Sequence, residues 1–97
     1  MDYQIRWSLK SADNLEAICD FISIDSPYYA SLTAQKILAL VDNIKIYPES
    51  GRIVPEFNNP EIRELIYKSY RIIYRFKENI IEIVTISHSA RKEIKLD

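Results

Sequence analysis

The segment YRIIYRF, residues 70–76, carries Arg71 and Arg75 within a run that otherwise has the composition of a buried β-strand. A guanidinium is permanently charged, and its planar N–H groups match the oxygens of a phosphate or a carboxylate. Two interpretations are open. The arginines and nearby Glu64 form a cross-strand charge cluster that keeps an open sheet face hydrated, or the arginines bind an anionic partner.

A second polar cluster follows the last apolar run of the chain. His88 is the only histidine, and Arg91, Lys92 and Lys95 come after it. Histidine is the residue type best suited to general acid-base chemistry near neutral pH, although packing or a backbone hydrogen bond is the alternative role. One Cys and one His do not make a zinc site, and a single glycine does not make a phosphate loop. We therefore expect no metal and no cofactor.

Hydrophobic periodicity predicts the elements that position these residues. Residues 3–7 alternate apolar and polar as a half-buried strand does, and Ser11 is a candidate N-cap for the first helix. The predicted elements are a strand at 3–7, helices at 12–25 and 27–46 joined as a hairpin, and strands at 62–67, 70–76 and 79–88. The proline-rich segment 47–61 is the one long loop. This order predicts an α+β fold, with a helical hairpin packed on a mostly antiparallel four-stranded sheet.

A two-residue loop at Lys68 and Ser69 fixes the expected strand register. It places Tyr67 opposite Tyr70, and the alternation of strands then sorts the side chains onto two faces. The aromatic-rich face, which we expect beneath the helices, carries Arg63, Leu65, Tyr67, Tyr70, Ile72, Tyr74 and Phe76. Arg71, Arg75 and Glu64 are expected on the opposite, open face.

The whole chain of 97 residues has the size of one domain, residues 1–97, with a net charge of −1. A net charge so close to zero disfavours strong nucleic-acid binding, although residues 52–97 carry nine Lys or Arg against seven Asp or Glu. The single cysteine allows no intrachain disulfide. No segment reads as a signal peptide or a membrane span, so we expect a cytoplasmic protein with no membrane partner.

The motifs NLEAICDFI, DSPYYA, YPESGRIVPE, YRIIYRF and IIEIVTISHSAR occur in that order and cover nearly the whole chain. In order and spacing the chain resembles the RelE/ParE superfamily of bacterial type II toxin–antitoxin toxins. The resemblance implies a β-α-α-β-β-β toxin fold and a cognate antitoxin whose C-terminal segment wraps the toxin, often adding a strand or helix. It also suggests a role in plasmid stabilisation.

Two activities occur among such toxins. RelE-like members cleave mRNA in the ribosome, and ParE-like members inhibit DNA gyrase without a known catalytic centre. In the nuclease case the resemblance assigns Arg71 and Arg91 to phosphate binding and leaves His88 as the acid or base. The lysine pair and C-terminal tyrosine of many such nucleases are missing here. We therefore favour inhibition of DNA gyrase over ribonuclease activity, for which the partners would be the ribosome and mRNA.

A third hypothesis is an inactive homologue that only binds the antitoxin. In each case the predicted contacts with antitoxin or target involve the arginines of the C-terminal half, namely Arg63, Arg71, Arg75 and Arg91. Their charge suits acidic side chains or phosphates.

Overall fold

The computed structural model describes residues 3–89 of the chain. In chain order the elements are β1 (Gln4–Trp7), α1 (Leu9–Asp25), α2 (Pro27–Asn43), β2 (Arg52–Ile53), β3 (Ile62–Tyr67), β4 (Tyr70–Lys77) and β5 (Ile80–His88). The α+β class and the predicted order of elements are confirmed, with one short strand added. No helix in this part of the chain is long and apolar enough to cross a membrane.

The described residues form a five-stranded sheet in the order β1-β5-β4-β3-β2. Neighbouring strands are antiparallel except β1 and β5, which run parallel. The expected number of four strands was wrong by one, because Arg52 and Ile53 of the expected loop pair with Glu64 and Arg63. A strand of two residues has no periodicity for a sequence pattern to display.

The first helix begins at Leu9, earlier than expected, because Ser8 rather than Ser11 is its N-cap. The Ser8 hydroxyl accepts a hydrogen bond from the Ser11 backbone N–H at 3.0 Å and donates one to the Val84 carbonyl at 2.9 Å. Ser11 lies inside the helix and is fully buried. The choice between the two serines thus depends on a contact with β5 that the local sequence does not contain.

The two helices form the predicted hairpin, with Ser26 as their junction. Its hydroxyl accepts from the backbone N–H of Tyr29 at 3.1 Å, and Pro27 occupies the first turn, where a missing N–H has no cost. The second helix ends at Asn43, a turn earlier than the expected residue 46.

The main core lies between the hairpin and the aromatic-rich face of the sheet, as predicted. Fully or nearly fully buried residues from both layers form it, namely Ile37, Val41, Ile44, Ile72, Tyr74, Ile81, Ile83 and Ile86. The expected hairpin register is also confirmed, with Tyr67 opposite Tyr70 and Leu65 opposite Ile72. Lys68, at the first turn position, has φ 52°, as primed hairpin turns require.

Tyr74 joins the core to the loop before β2. Its hydroxyl accepts from the Gly51 backbone N–H at 3.0 Å and donates to the Pro48 carbonyl at 2.6 Å. A Cβ on Gly51 would lie 2.6 Å from this hydroxyl oxygen and 2.7 Å from the Glu64 carbonyl oxygen. The only glycine of the chain therefore sits where the backbone approaches a buried side chain too closely for any other residue.

A second, smaller core covers part of the opposite sheet face. Val54, Ile62, Ile73 and Val84 are buried there, with Phe57 packed against them. Val54 and Phe57 belong to the segment after β2, which folds back over the sheet. This loop changes the surroundings of the arginines on that face.

Candidate functional site

Arg71, the second residue of β4, lies on the sheet face opposite the helices. It is only 8% exposed, so the prediction that it projects from an open face was wrong. The loop after β2 packs over this part of the sheet and brings Glu56 to the guanidinium. Burial of a charge at this position requires compensation by charged partners.

A four-residue ionic network supplies that compensation. Arg71 donates from Nε to Glu64 at 2.5 Å, and from Nη1 and Nη2 to the two oxygens of Glu56 at 2.8 and 2.9 Å. The other oxygen of Glu64 accepts from Arg52 Nε. The Glu64 side chain is fully buried, and two arginines balance two glutamates. We call Arg52, Glu56, Glu64 and Arg71 the ionic network.

The contact between Arg71 and Glu56 favours the charged forms of both residues. The hydrogen bonds from Arg71 lower the pKa of Glu56 from 4.5 to about 2. The same contact, followed by the bond to Glu64, raises the pKa of Arg71 above its ordinary value. A phosphate that approached Arg71 would have to displace the Glu56 carboxylate.

Arg75 differs from Arg71 in its surroundings. Its side chain is 44% exposed, and Nη2 donates to Glu82 of β5 at 2.9 Å. The expected contact with Glu64 is not formed, because Glu82 lies directly opposite Arg75 while Glu64 is held by the ionic network. Arg75 and Glu82 line a shallow groove of about 400 Å³, which Arg6 and Lys77 border as further cations.

His88, at the end of β5, lies directly opposite Tyr70, and their rings contact edge to face at 5.6 Å between centroids. Tyr70 is on the helix-covered face, whereas its neighbour Arg71 points to the other one, because successive strand residues alternate. The structure therefore places Arg71 and His88 on opposite faces of the sheet. It does not bring these two predicted catalytic residues together.

Arg63 holds the long loop in place. Its guanidinium donates to the carbonyl oxygens of Pro60 at 2.9 Å, Gly51 at 3.1 Å and Glu49 at 3.2 Å. It also lies 5.8 Å from the ring centroid of Phe76, and its side chain is 13% exposed. These contacts leave little of Arg63 available to a partner.

Arg91 lies outside the described residues. Within residues 3–89, His, Cys, Asp and Glu nowhere gather in a group that would hold a metal ion. Sequence reasoning missed Glu56 and Arg52 as partners of the buried charges. The only signal for them was the GRIVPE segment, which contains both residues but no regular pattern.

A larger groove lies between β1 and α2 and was not anticipated. It has a volume of about 690 Å³ and is lined by Tyr3, Gln4, Ile5, Trp7, Leu38, Val41, Asp42 and Lys45. One edge of β1 pairs with β5, and β1 ends the sheet, so its other edge has no neighbouring strand in the described residues. Such an edge can pair with an extended segment of another chain.

Comparisons with known proteins agree on one class of molecule. A family model described as the ParE toxin of the type II toxin–antitoxin system parDE matches residues 5–93. Toxin RelE2 of Caulobacter vibrioides is 33% identical over 89 residues, which are 91% of this chain and 97% of that protein. Putative toxin Y4kP of Sinorhizobium fredii is 33% identical over 88 residues, covering 89% of this chain and 88% of its own length.

A solved structure has the same fold. A chain of the structure described as the chromosomal ParDE TA system from P. aeruginosa superposes with a TM-score of 0.73 and 25% sequence identity. The match covers 89% of this chain and 95% of that chain. The two helices and the sheet are thus shared across nearly the whole length of both molecules.

Proposed function

Because the chain belongs to the ParE toxin family of type II toxin–antitoxin systems, within the RelE/ParE superfamily, we propose that it inhibits DNA gyrase by binding it. A cognate antitoxin neutralises the toxin by occupying its surface. Gyrase acts on chromosomal DNA, so the proposed site of action is the cytoplasm. No cofactor is required for inhibition by binding.

The observation that carries this proposal is the separation of Arg71 and His88. Cleavage of RNA by its own 2′-hydroxyl needs an acid, a base and cationic charge gathered around one phosphate. Here Arg71 is bound by two carboxylates on one face of the sheet, and His88 packs against Tyr70 on the other. The described residues support a binding protein better than a nuclease.

For the antitoxin we propose the groove between β1 and α2 as the docking site. The free edge of β1 offers backbone N–H and C=O groups to an extended segment. Trp7 and Leu38 line the groove with apolar surface, and Lys45, paired with Asp42 at 3.0 Å, lies at its border. We further propose that the exposed Arg75 binds acidic side chains of the antitoxin, as does Arg91, which lies beyond the described residues.

The test is a supercoiling assay with purified gyrase, ATP and relaxed plasmid. We expect the folded toxin to block supercoiling at concentrations comparable to gyrase, and the antitoxin to restore it. Normal supercoiling at a large excess of toxin would exclude the proposal. Circular dichroism of the same sample establishes that the toxin is folded.

Ribosome-dependent mRNA cleavage is the second candidate, favoured by the name of the relative Toxin RelE2. It is tested in parallel with translating ribosomes, by mapping the 5′ ends of the mRNA after toxin is added. Cleavage that requires His88 would establish this activity, whereas intact mRNA together with inhibited gyrase supports the proposal above.

A further inference from the structure

Four large apolar side chains are exposed at the tip of the helical hairpin, where α1 ends and α2 begins. Phe21 is 71%, Ile24 79%, Tyr28 70% and Tyr29 57% exposed. Phe21 and Ile24, three residues apart, share one side of α1, and the rings of Tyr28 and Tyr29 contact edge to face at 5.3 Å. We call these four residues the tip patch.

The tip patch belongs to neither hydrophobic core of residues 3–89. Leu15 and Ile18 face the sheet and pack on the main core, so α1 already has the apolar stripe that holds it in place. The four exposed side chains together present on the order of 500 Å² of largely apolar surface. Exposed apolar surface of this extent, gathered at one end of a helical hairpin, is often an interaction site on a small protein.

The charges around the tip patch restrict what can bind there. Residues 13–31 contain Asp13, Glu16, Asp20 and Asp25 and no Lys or Arg, and all four carboxylates are exposed. Asp20 and Asp25 form a negative rim beside the patch, and Asp13 and Glu16 add negative charge farther along α1. This charge repels nucleic acid, anionic lipid and the tip of a second copy of the chain. It favours a protein surface of the opposite charge.

We propose that the tip patch is the surface with which the toxin engages its target protein, at an apolar site bordered by lysine or arginine side chains. This inference rests on the proposed function, in which the target is a protein. Aromatic residues at the centre and charged residues at the rim match the general anatomy of protein interfaces.

The tip patch is well separated from the groove proposed for the antitoxin. Tyr29 and Leu38, the residue of α2 nearest the tip that lines the groove, are separated by about 14 Å along the helix axis at 1.5 Å per residue. Substitutions at the tip should therefore affect target inhibition and leave antitoxin binding intact. This separation gives the experiment two independent readouts.

The test compares two triple variants made in the full chain. Phe21→Gln, Ile24→Gln and Tyr28→Gln remove the tip patch. Leu9→Gln, Ile46→Gln and Tyr47→Gln form the matched control, because these residues are 79%, 58% and 62% exposed at the other end of the hairpin. Each variant is assayed for gyrase inhibition, for growth arrest on induction, and for binding of the purified antitoxin.

We expect the tip variant to need at least about tenfold more protein for half-maximal inhibition, while the control stays within about twofold of wild type. Antitoxin affinity should not change in the tip variant. Asp20→Lys with Asp25→Lys should weaken inhibition as well and reduce its sensitivity to salt, since this pair reverses charges at the rim.

The outcomes separate this inference from the proposed function. Undiminished inhibition by the tip variant would overturn the inference and leave gyrase as the target. If the wild-type toxin arrests growth without inhibiting gyrase, the proposed function fails. Loss of growth arrest in the tip variant would then still support the tip patch as the contact with the target protein. Loss of antitoxin binding in the tip variant, or arrest equal to wild type, would overturn the inference.

Discussion

Arg71 and Glu56 form a bidentate pair, with Nη1 2.8 Å from Oε2 and Nη2 2.9 Å from Oε1. Arg71 belongs to β4 and Glu56 to the loop after β2, so the pair ties that loop to the sheet. The remaining Nε donates to the fully buried Glu64. Because the fold itself depends on Arg71, loss of toxicity on its substitution has to be separated from loss of stability.

Substitution of Arg71→Ala should lower the free energy of unfolding by about 3–5 kcal/mol, because it leaves the buried Glu64 with Arg52 alone. Arg75→Ala is the matched control on the same strand. Its ion pair with Glu82 is exposed, and its loss should cost about 0–1 kcal/mol. Urea denaturation at pH 7 measures both. Equal stability of the two variants would contradict the role given to the ionic network.

Acid should destabilise the protein through Glu56. Its pKa is lowered in the folded chain from 4.5 to about 2 by Arg71, so its contribution is complete above pH 4.5 and is lost as the pH falls towards 2. Glu56→Gln should therefore lose less stability than wild type between pH 5 and pH 2. Urea midpoints measured across that range test this.

The control for that titration is Glu61→Gln. Glu61 is exposed and makes no side-chain ion pair within residues 3–89. This variant removes a carboxylate outside the ionic network, and its loss of stability between pH 5 and pH 2 is the reference for Glu56→Gln. If Glu56→Gln loses as much stability over that range, the contact between Glu56 and Arg71 does not act in solution as the structure describes.

Loss of the Tyr74 hydroxyl should loosen the loop before β2. Tyr74→Phe leaves the Gly51 N–H and the Pro48 carbonyl without their partner, at a cost of about 1–3 kcal/mol. Tyr67→Phe is the control, since Tyr67 is half-buried and its hydroxyl makes no hydrogen bond in the described part of the chain. Thermal unfolding compares them, and a Tyr74→Phe protein as stable as the control would refute this role.

Substitution of His88→Ala should keep gyrase inhibition within about twofold of wild type. His88 contacts Tyr70 on the sheet face opposite Arg71 and is not one of the tip-patch residues. In a ribonuclease, removal of a general acid or base lowers the rate by about 10²- to 10⁴-fold. Supercoiling and ribosome-dependent cleavage assays on one preparation decide between these outcomes. Loss of toxicity in a folded, stable His88→Ala protein would count against the binding mechanism.

The sequence predicted the sheet register because the hydrophobic alternation and the short loop at Lys68 and Ser69 leave few alternatives. A one-residue slip would turn Ile72 and Tyr74 away from the helices. The long strands and the hairpin were therefore predictable from local pattern, and the resemblance of the motifs identified the superfamily.

The environment of Arg71 was not predictable in the same way. Its burial depends on Glu56, fifteen positions away in an irregular loop, and on the two-residue strand β2. Neither feature has a periodic signal, and the contact exists only after the loop folds over the sheet. The capping of α1 by Ser8 rather than Ser11 was missed for the same reason, because it depends on Val84 of β5.

Gyrase inhibition by this toxin can be tested by titrating the toxin against a fixed amount of gyrase in the supercoiling assay. Inhibition by binding predicts that activity falls in proportion to added toxin, levels off near equimolar amounts, and returns when antitoxin is added. Undisturbed supercoiling at a tenfold excess of folded toxin would show that gyrase is not the target.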